Sequence, residues 1–251
     1  MLNRLRLWTH TLSSGLARAI TPPSCCALCD MAAKDVLCEG CRLQFLQVSA
    51  ARCSCCAIRL TVHTDLLCGE CLRQPPAFDA TIAAVDYCAP LDQLVLGLKF
   101  GGQLALAPLF AEMLRDALLE QAGRTGQNAP LPELLLAVPL GEQRLVERGF
   151  NQAVEIARKL GRSLGLPLLT HLPLRERETL AQSSLPLLER HRNMSGAFGM
   201  PAGASGLLRG RHVGVVDDVM TTGATLNAMA TVLKRHGAVR VTNLVFARTP
   251  A

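Results

Sequence analysis

Two adjacent carboxylates at the end of an apolar run, followed at once by a small hydroxyl-rich turn, mark where this chain can do chemistry. They stand in Val215-Val216-Asp217-Asp218-Val219-Met220-Thr221-Thr222-Gly223-Ala224-Thr225. In an open parallel sheet, ligands bind just past the carboxyl ends of the strands. Acids at a strand tip can accept hydrogen bonds from ribose hydroxyls or hold Mg2+ through water. A turn that opens a helix offers backbone N–H groups and Thr hydroxyls to a phosphate. Carboxylates beside such a turn describe a sugar-phosphate site.

The turn is neither of the two common phosphate loops. No Lys follows the Gly, as the GxxxxGK[ST] loop requires, and no GxGxxG is present. The string of apolar residues, two acids, two apolar residues and Thr-Thr-Gly-x-Thr resembles the phosphoribosyl-pyrophosphate (PRPP) motif of type I phosphoribosyltransferases. One departure is Gly214, which interrupts the branched residues of His212-Val213-Gly214-Val215-Val216. The plain alternative is a buried strand before a capped helix.

The second signal is at the other end. Eleven cysteines are present, and all but Cys88 lie between Cys25 and Cys71. Four pairs have two-residue gaps: Cys26/Cys29, Cys38/Cys41, Cys53/Cys56 and Cys68/Cys71. A C-x2-C turn puts two thiolates on one side of a tight knuckle, and two knuckles complete a tetrahedral zinc site. Sequential pairing gives two small ribbons; interleaved pairing gives a cross-brace. The sequential form is preferred. Cys25 and Cys55 are adjacent duplicates, and the regular gap favours Cys26 and Cys53. His63 reads as a surface histidine. A disulfide-rich secreted module is the alternative, but no secretory signal precedes the cysteines. Two structural zinc ions are expected, since four thiolates leave no open coordination position.

Nearly half of the residues are apolar (49%), so a real core is possible. No uninterrupted apolar stretch reaches the length of a membrane span. Aromatics are scarce, so the core falls to Leu, Val and Ala, and aromatic base-stacking platforms are not expected. The net charge of +6 suits a polyanion without demanding one. Arginines concentrate between Glu142 and Arg192, and arginine suits pyrophosphate. Residues 1–23 are a basic leader without an acid, with Leu5, Trp8, Leu12 and Leu16 at helical spacing. A short packed helix or a disordered leader is the preferred reading; a membrane-surface helix and an organellar transit peptide are the alternatives.

The elements that must position these groups follow the chain. Pro75-Pro76 closes the cysteine module, giving domains at 24–76 and 77–251. Thr81–Tyr87 reads as a strand, and Leu91–Lys99 and Leu104–Gln121 as helices. Leu134–Val138 is a strand and Asn151–Leu164 a helix with Gly165 past its end. Leu166–Leu169 is a short strand. Leu172–Phe198 is polar and weakly periodic, as lids are. His212–Val216 is the motif strand, Thr225–His236 a helix and Val239–Phe246 the last strand. Alternating strands and helices predict an α/β fold, a parallel sheet flanked by helices.

Three further segments sharpen this. They are Tyr87, Leu91, Lys99 and Phe100; Val138-Pro139-Leu140 with Arg148-Gly149-Phe150-Asn151-Gln152; and Arg175, Thr179, Gln182, Leu185, Arg190 and Asn193 before Gly196-Ala197-Phe198. With paired zinc knuckles in front and the PRPP motif behind, residues 24 to 249 resemble the competence protein F (ComF) family, GntX-type members included. The resemblance implies a type I phosphoribosyltransferase domain behind a zinc-binding module. It implies that Asp217 and Asp218 bind the ribose hydroxyls of PRPP, with Mg2+ accompanying it. Thr221, Thr222, Gly223, Ala224 and Thr225 would cradle the 5′-phosphate. Arg175 and Arg177 would reach the pyrophosphate from a closing loop, with Lys99 a weaker candidate. Arg148 reads instead as a tie from the loop to the fold, and Asn151 as the cap of the helix that follows it. The implied setting is DNA uptake in the cytoplasm, with single-stranded DNA as a partner.

Overall fold

The structure, a computed structural model, describes residues 24–46, 51–60, 66–124, 130–172, 174–175 and 197–250. The basic leader, His63, Arg177 and the remainder of the arginine-bearing loop lie outside these residues.

The chain divides into two compact units, Met1–Phe45 and Leu46–Ala251. In the first, β1 (Ser24–Cys25) pairs antiparallel with β2 (Ala32–Ala33), and α1 (Glu39–Phe45) follows. The second begins with the other cysteine set and α2 (Gly69–Arg73). Its body runs β3 (Ala80–Asp86), α3 (Leu91–Phe100), α4 (Leu106–Arg124), β4 (Leu134–Ala137), α5 (Glu142–Arg148) and α6 (Gln152–Leu164). Then come β5 (Leu174–Arg175), β6 (Phe198–Gly199), α7 (Ala204–Leu208), β7 (His212–Met220), α8 (Ala224–Arg235) and β8 (Arg240–Arg248). The division falls between the two cysteine sets.

Four strands form one parallel sheet in the order β3-β8-β7-β4. Strands covered on both faces read as near-continuous apolar runs, and β3, β4, β7 and β8 do. Val213, Val215, Val241 and Val245 share a core with Leu226, Met229 and Leu233 of α8. The alternate face meets α4 and α6. There Phe246 of β8 stacks on Phe110 of α4, so two of the few aromatics meet in the core.

The motif strand is longer than its sequence suggests. It continues past Val216 to Met220 because β8 runs beside it, pairing Asp217 with Val245 and Met220 with Arg248. The acids thus stand inside the last turns of a strand, where the ladder holds their backbone. Gly214 has a packing reason: a Cβ there would come within 2.7 Å of Leu135 Cδ2 and 3.1 Å of Pro132 Cβ. The strand expected at Leu166–Leu169 reduces to a single bridge between Leu135 and Leu168. Pro167 has no N–H to extend the ladder. The helix α5 was not foreseen. It buries none of its residues, so it leaves no apolar stripe in the sequence.

The second cysteine set belongs to the sheet. Cys53, Cys56, Ala57 and Cys71 share the core with Phe78, Val215 and Met220. Ser54 O accepts from Thr81 N of edge strand β3 at 3.4 Å. Arg52 and Arg59 both form ion pairs with buried Asp86 at the end of that strand, the former at 2.7 Å. An edge strand is thereby covered, which protects its open backbone groups.

Candidate functional site: two acids, a helix-opening turn and two thiol sets

Strand β7 delivers Asp217 and Asp218 side by side. Each acid accepts a backbone N–H one residue on, Asp218 N to Asp217 Oδ1 at 2.9 Å and Val219 N to Asp218 Oδ1 at 2.7 Å. Asp218 is buried, and its Oδ2 lies 2.9 Å from Lys99 Nζ at the end of α3. Beyond that ion pair, Oδ2 has no hydrogen-bond partner. The Asp217 carboxyl is pushed up to about 8 by burial and by the charge of Asp218, against the pull of Lys99. Two acids that resist carrying charge together are suited to a cation or to donors such as ribose hydroxyls. Oxygen ligands match Mg2+, so the residues present fit that ion.

The turn follows immediately. Gly223 is the N-cap of α8 at φ +82°, a left-handed backbone that glycine adopts without steric cost. A Cβ there would meet Met220 Cε at 2.6 Å. Gly223 has no side chain with which to cap α8, so the rest of the turn serves the helix start. Thr222 Oγ1 accepts from Ala224 N at 3.3 Å, and Gly223 O accepts from Asn227 N at 2.8 Å. Thr221, Thr222, Gly223, Ala224 and Thr225 thus wrap the N-terminus of a 12-residue helix, the feature that attracts anions.

Sequence reasoning missed the residue that fixes this turn. Arg248, at the end of β8, is buried. It donates Nε to Cys56 O at 2.9 Å. Its Nη1 donates to Met220 O at 3.2 Å, to Thr249 O at 2.8 Å and also to Thr221 O. One guanidinium therefore joins the second cysteine set to the first carbonyls of the turn that opens α8. The signal available was an arginine at the end of an apolar strand, which is unspecific. Asn227 adds a second tie, accepting from Ala77 N at 2.7 Å.

The remaining candidates fall as follows. Arg175 stands in β5 opposite Phe198 of β6. Asn151 caps α6, accepting from Ala153 N at 2.9 Å and Val154 N at 3.4 Å, and donates to Val138 O at 3.0 Å. It thus clamps the end of β4 as well as the helix. Arg148 lies 4.9 Å from the ring centre of Phe100.

The eight thiols gather into two groups of four, Cys26, Cys29, Cys38, Cys41 and Cys53, Cys56, Cys68, Cys71. This is the sequential arrangement. Within each group the sulfurs lie within 4.8 Å of one another. Cys29 and Cys38 are 3.7 Å apart and Cys56 and Cys68 are 3.6 Å apart. A tetrahedral ion with Zn–S near 2.3 Å spaces its sulfurs about 3.8 Å apart, so each group can hold a metal ion of that size. Backbone N–H groups also point at sulfur, Cys41 N to Cys38 at 3.4 Å and Cys68 N to Cys53 at 3.3 Å. Burial raises the Cys26 and Cys53 thiols, but amide hydrogen bonds outweigh it and bring them down to about 6 and about 7. Burial and their neighbours push Cys41 and Cys71 up. Four thiols this close cannot all ionise without a cation, and a metal resolves that conflict. Cys55 stays outside its group, its Sγ 3.9 Å from Phe78 O.

Sheet order, acid pair and helix-opening turn define a phosphoribosyl transferase domain, and residues 146–251 match the phosphoribosyl transferase domain family. The chain is 35% identical to competence protein F of Haemophilus influenzae, over 82% of this chain and 87% of that one. It is 32% identical to DNA utilization protein YhgH of Escherichia coli K12, over 92% of this chain and 99% of that one. The chain belongs to the competence protein F/YhgH family. A solved purine phosphoribosyltransferase from Pyrococcus horikoshii overlays with a TM-score of 0.29 at 21% identity, covering 54% of this chain and 70% of that one. Among the described residues, no helix is long and apolar enough to cross a membrane.

Proposed function

We propose that this chain binds PRPP with Mg2+ and transfers its phosphoribosyl group to an acceptor, in the cytoplasm and in the service of DNA uptake. The observation that carries the reading is the pair Asp217 and Asp218 set directly before the Gly223 turn at the start of α8. The spacing suits one sugar phosphate: ribose hydroxyls on the acids, the 5′-phosphate on the turn. The names of the relatives, competence and DNA utilization, support the setting, and single-stranded DNA is the partner that setting suggests. Zinc in both thiol groups is part of the same proposal, as a structural element.

The chemistry is a displacement at the anomeric carbon. The bond from that carbon to the pyrophosphate oxygen breaks, and pyrophosphate leaves with the electron pair. A lone pair of the acceptor forms the new bond. Bound Mg2+ would supply charge neutralisation to the leaving group. The chain's own work is to orient and to exclude water. Asp217 and Asp218 fix the ribose, the turn fixes the phosphate, and Lys99 limits the charge the acids present. Arg175 and Arg177 belong to the segment proposed to meet the pyrophosphate.

The test combines PRPP, Mg2+ and a panel of bases and single-stranded DNA, with pyrophosphate as the readout. Release that disappears in Asp217→Ala/Asp218→Ala supports transfer. PRPP bound without release leaves a binding module. No binding by folded, zinc-loaded protein refutes the proposal.

A further inference from the structure

Asp217 and Asp218 stand toward the carboxyl end of β7; the opposite end of the sheet gathers a different charge. Arg209 and Arg211 lead from α7 into β7, Lys234 and Arg235 stand in the last turn of α8, and Arg240 opens β8. Backbone contacts hold these segments together. Gly210 N donates to Gly237 O at 2.9 Å, and Val239 N to Arg211 O at 3.0 Å. A Cβ on Gly237 would meet Arg209 Cβ at 3.2 Å, so the Arg209 stem lies against the end of α8. Ser205 Oγ of α7 is 3.0 Å from His236 Nδ1. Two acids answer part of the charge, Glu133 on Arg211 at 2.8 Å and Asp79 on Lys234 at 2.7 Å. Arg209, Arg235 and Arg240 have no ion pair among the described residues, and Arg240 Nε is buried without a hydrogen-bond partner. The helix dipole accounts for cations in the last turn of α8, but not for arginines that arrive from α7 and the two strands. Two exposed aliphatic side chains stand beside them: Leu207, two residues before Arg209, and Val239, next to Arg240.

We propose that this basic rim docks an acidic peptide segment of a partner protein, its carboxylates on the arginines and its apolar side chains on Leu207 and Val239. Arginine clusters hold acidic motifs because the guanidinium fork matches a carboxylate in two hydrogen bonds. Aliphatic neighbours add the dry contact that charge alone lacks. A nucleic acid would offer phosphates to the same arginines, but it would bring bases to the aliphatic side chains, and bases are held by aromatic faces. No Phe, Tyr or Trp lies in Ala204–Arg211 or Leu233–Arg240. The rim therefore favours a peptide over a strand of DNA. Asp217 lies five residues along β7 from His212, roughly 16 Å at the rise of a strand. Docking thus leaves the acid pair uncovered, and it does not depend on what the acids bind.

The probe is a fluorescein-labelled peptide, Asp-Glu-Leu-Asp-Leu-Glu, titrated by fluorescence anisotropy into full-length, zinc-loaded protein. A second peptide with both leucines replaced by serine measures the apolar share, and single-stranded oligothymidylate represents the phosphate alternative. The leucine peptide is expected to bind roughly tenfold more tightly than the serine peptide. Arg209→Glu/Arg235→Glu, both at exposed positions, weakens it by about tenfold at an unchanged melting temperature. Leu207→Ser/Val239→Ser removes the advantage of the leucine peptide over the serine peptide, and this second variant decides the matter should the first unfold early. A leucine peptide that does not bind, equal affinity for the two peptides, or binding that survives both variants overturns the proposal. Oligothymidylate that binds more tightly than the leucine peptide, and is weakened by the arginine variant, overturns it too and makes the rim a phosphate track.

Discussion

Replacing Arg248 by Met tests whether the second thiol set and the phosphate turn act as one body. The side chain is 7% exposed and spans three segments of chain. Met has similar reach but donates nothing. Met220 O keeps a donor, the N–H of Thr249 at 3.0 Å, whereas Cys56 O, Thr221 O and the partly exposed Thr249 O lose theirs. An unsatisfied buried carbonyl costs about 1–3 kcal/mol. Thr221 is exposed, so water can serve its carbonyl; Cys56 is buried and bears the larger share. Relief from burying a guanidinium among neutral acceptors offsets part of this. A net loss of roughly 2–3 kcal/mol follows, which lowers the melting temperature by about 4–12 °C for a unit of this size. Three measurements are made on one preparation: thermal unfolding, zinc content and ribose 5-phosphate affinity. All three are expected to drop together, and Arg248→Lys, which keeps one donor group, recovers part of each. A variant that melts within about 1 °C of wild type and holds sugar phosphate equally well refutes the coupling.

Three shorter predictions follow. Gly223→Ala and Gly165→Ala both force a non-glycine residue into positive φ, +82° and +68°, at roughly 1–2 kcal/mol each. Only the former also meets Met220 Cε and disturbs the phosphate turn, so sugar-phosphate affinity falls in Gly223→Ala alone; an equal fall in both contradicts this. Cys71→Ser and Cys41→Ser should each remove one of two zinc ions per chain by elemental analysis. The first also lowers the melting temperature of the sheet, because Cys71 lies in its core and Cys41 belongs to the other unit; the reverse order counts against the assignment. His212 is buried, with Nε2 2.8 Å from Thr242 Oγ1, and burial and the charge of Arg240 hold its pKa below the usual histidine value. The unfolded chain then binds the proton first, so the stability this residue contributes is present above about pH 6.5 and is lost as pH falls below it. His212→Gln should flatten that slope, read as melting temperature against pH; an unchanged slope means that other groups set it.

Short-range patterns were readable along the chain. The acids and the Thr-Thr-Gly-x-Thr turn pointed to the proposed sugar-phosphate site because such a cradle would be local: it needs only a tight turn and the first amides of one helix. The thiol pairs declared metal knuckles for the same reason. Apolar runs marked β3, β4, β7 and β8, and a 3.6-residue stripe marked α6. Less legible was α5, which buries nothing, and the extension of β7 to Met220, which depends on β8 lying alongside.

Residue types and spacing by themselves determined that there is a parallel sheet, an acid pair on it and eight thiols in four knuckles, since each is set within a few residues. Tertiary structure alone decided which knuckles share a group, that the second group shares the sheet's core, that Lys99 neutralises Asp218, and that Arg248 joins a thiol group to the turn. Those partners stand up to 192 residues apart, as Arg248 and Cys56 do. Contacts at such separation arise when the chain closes on itself, and no local propensity encodes them.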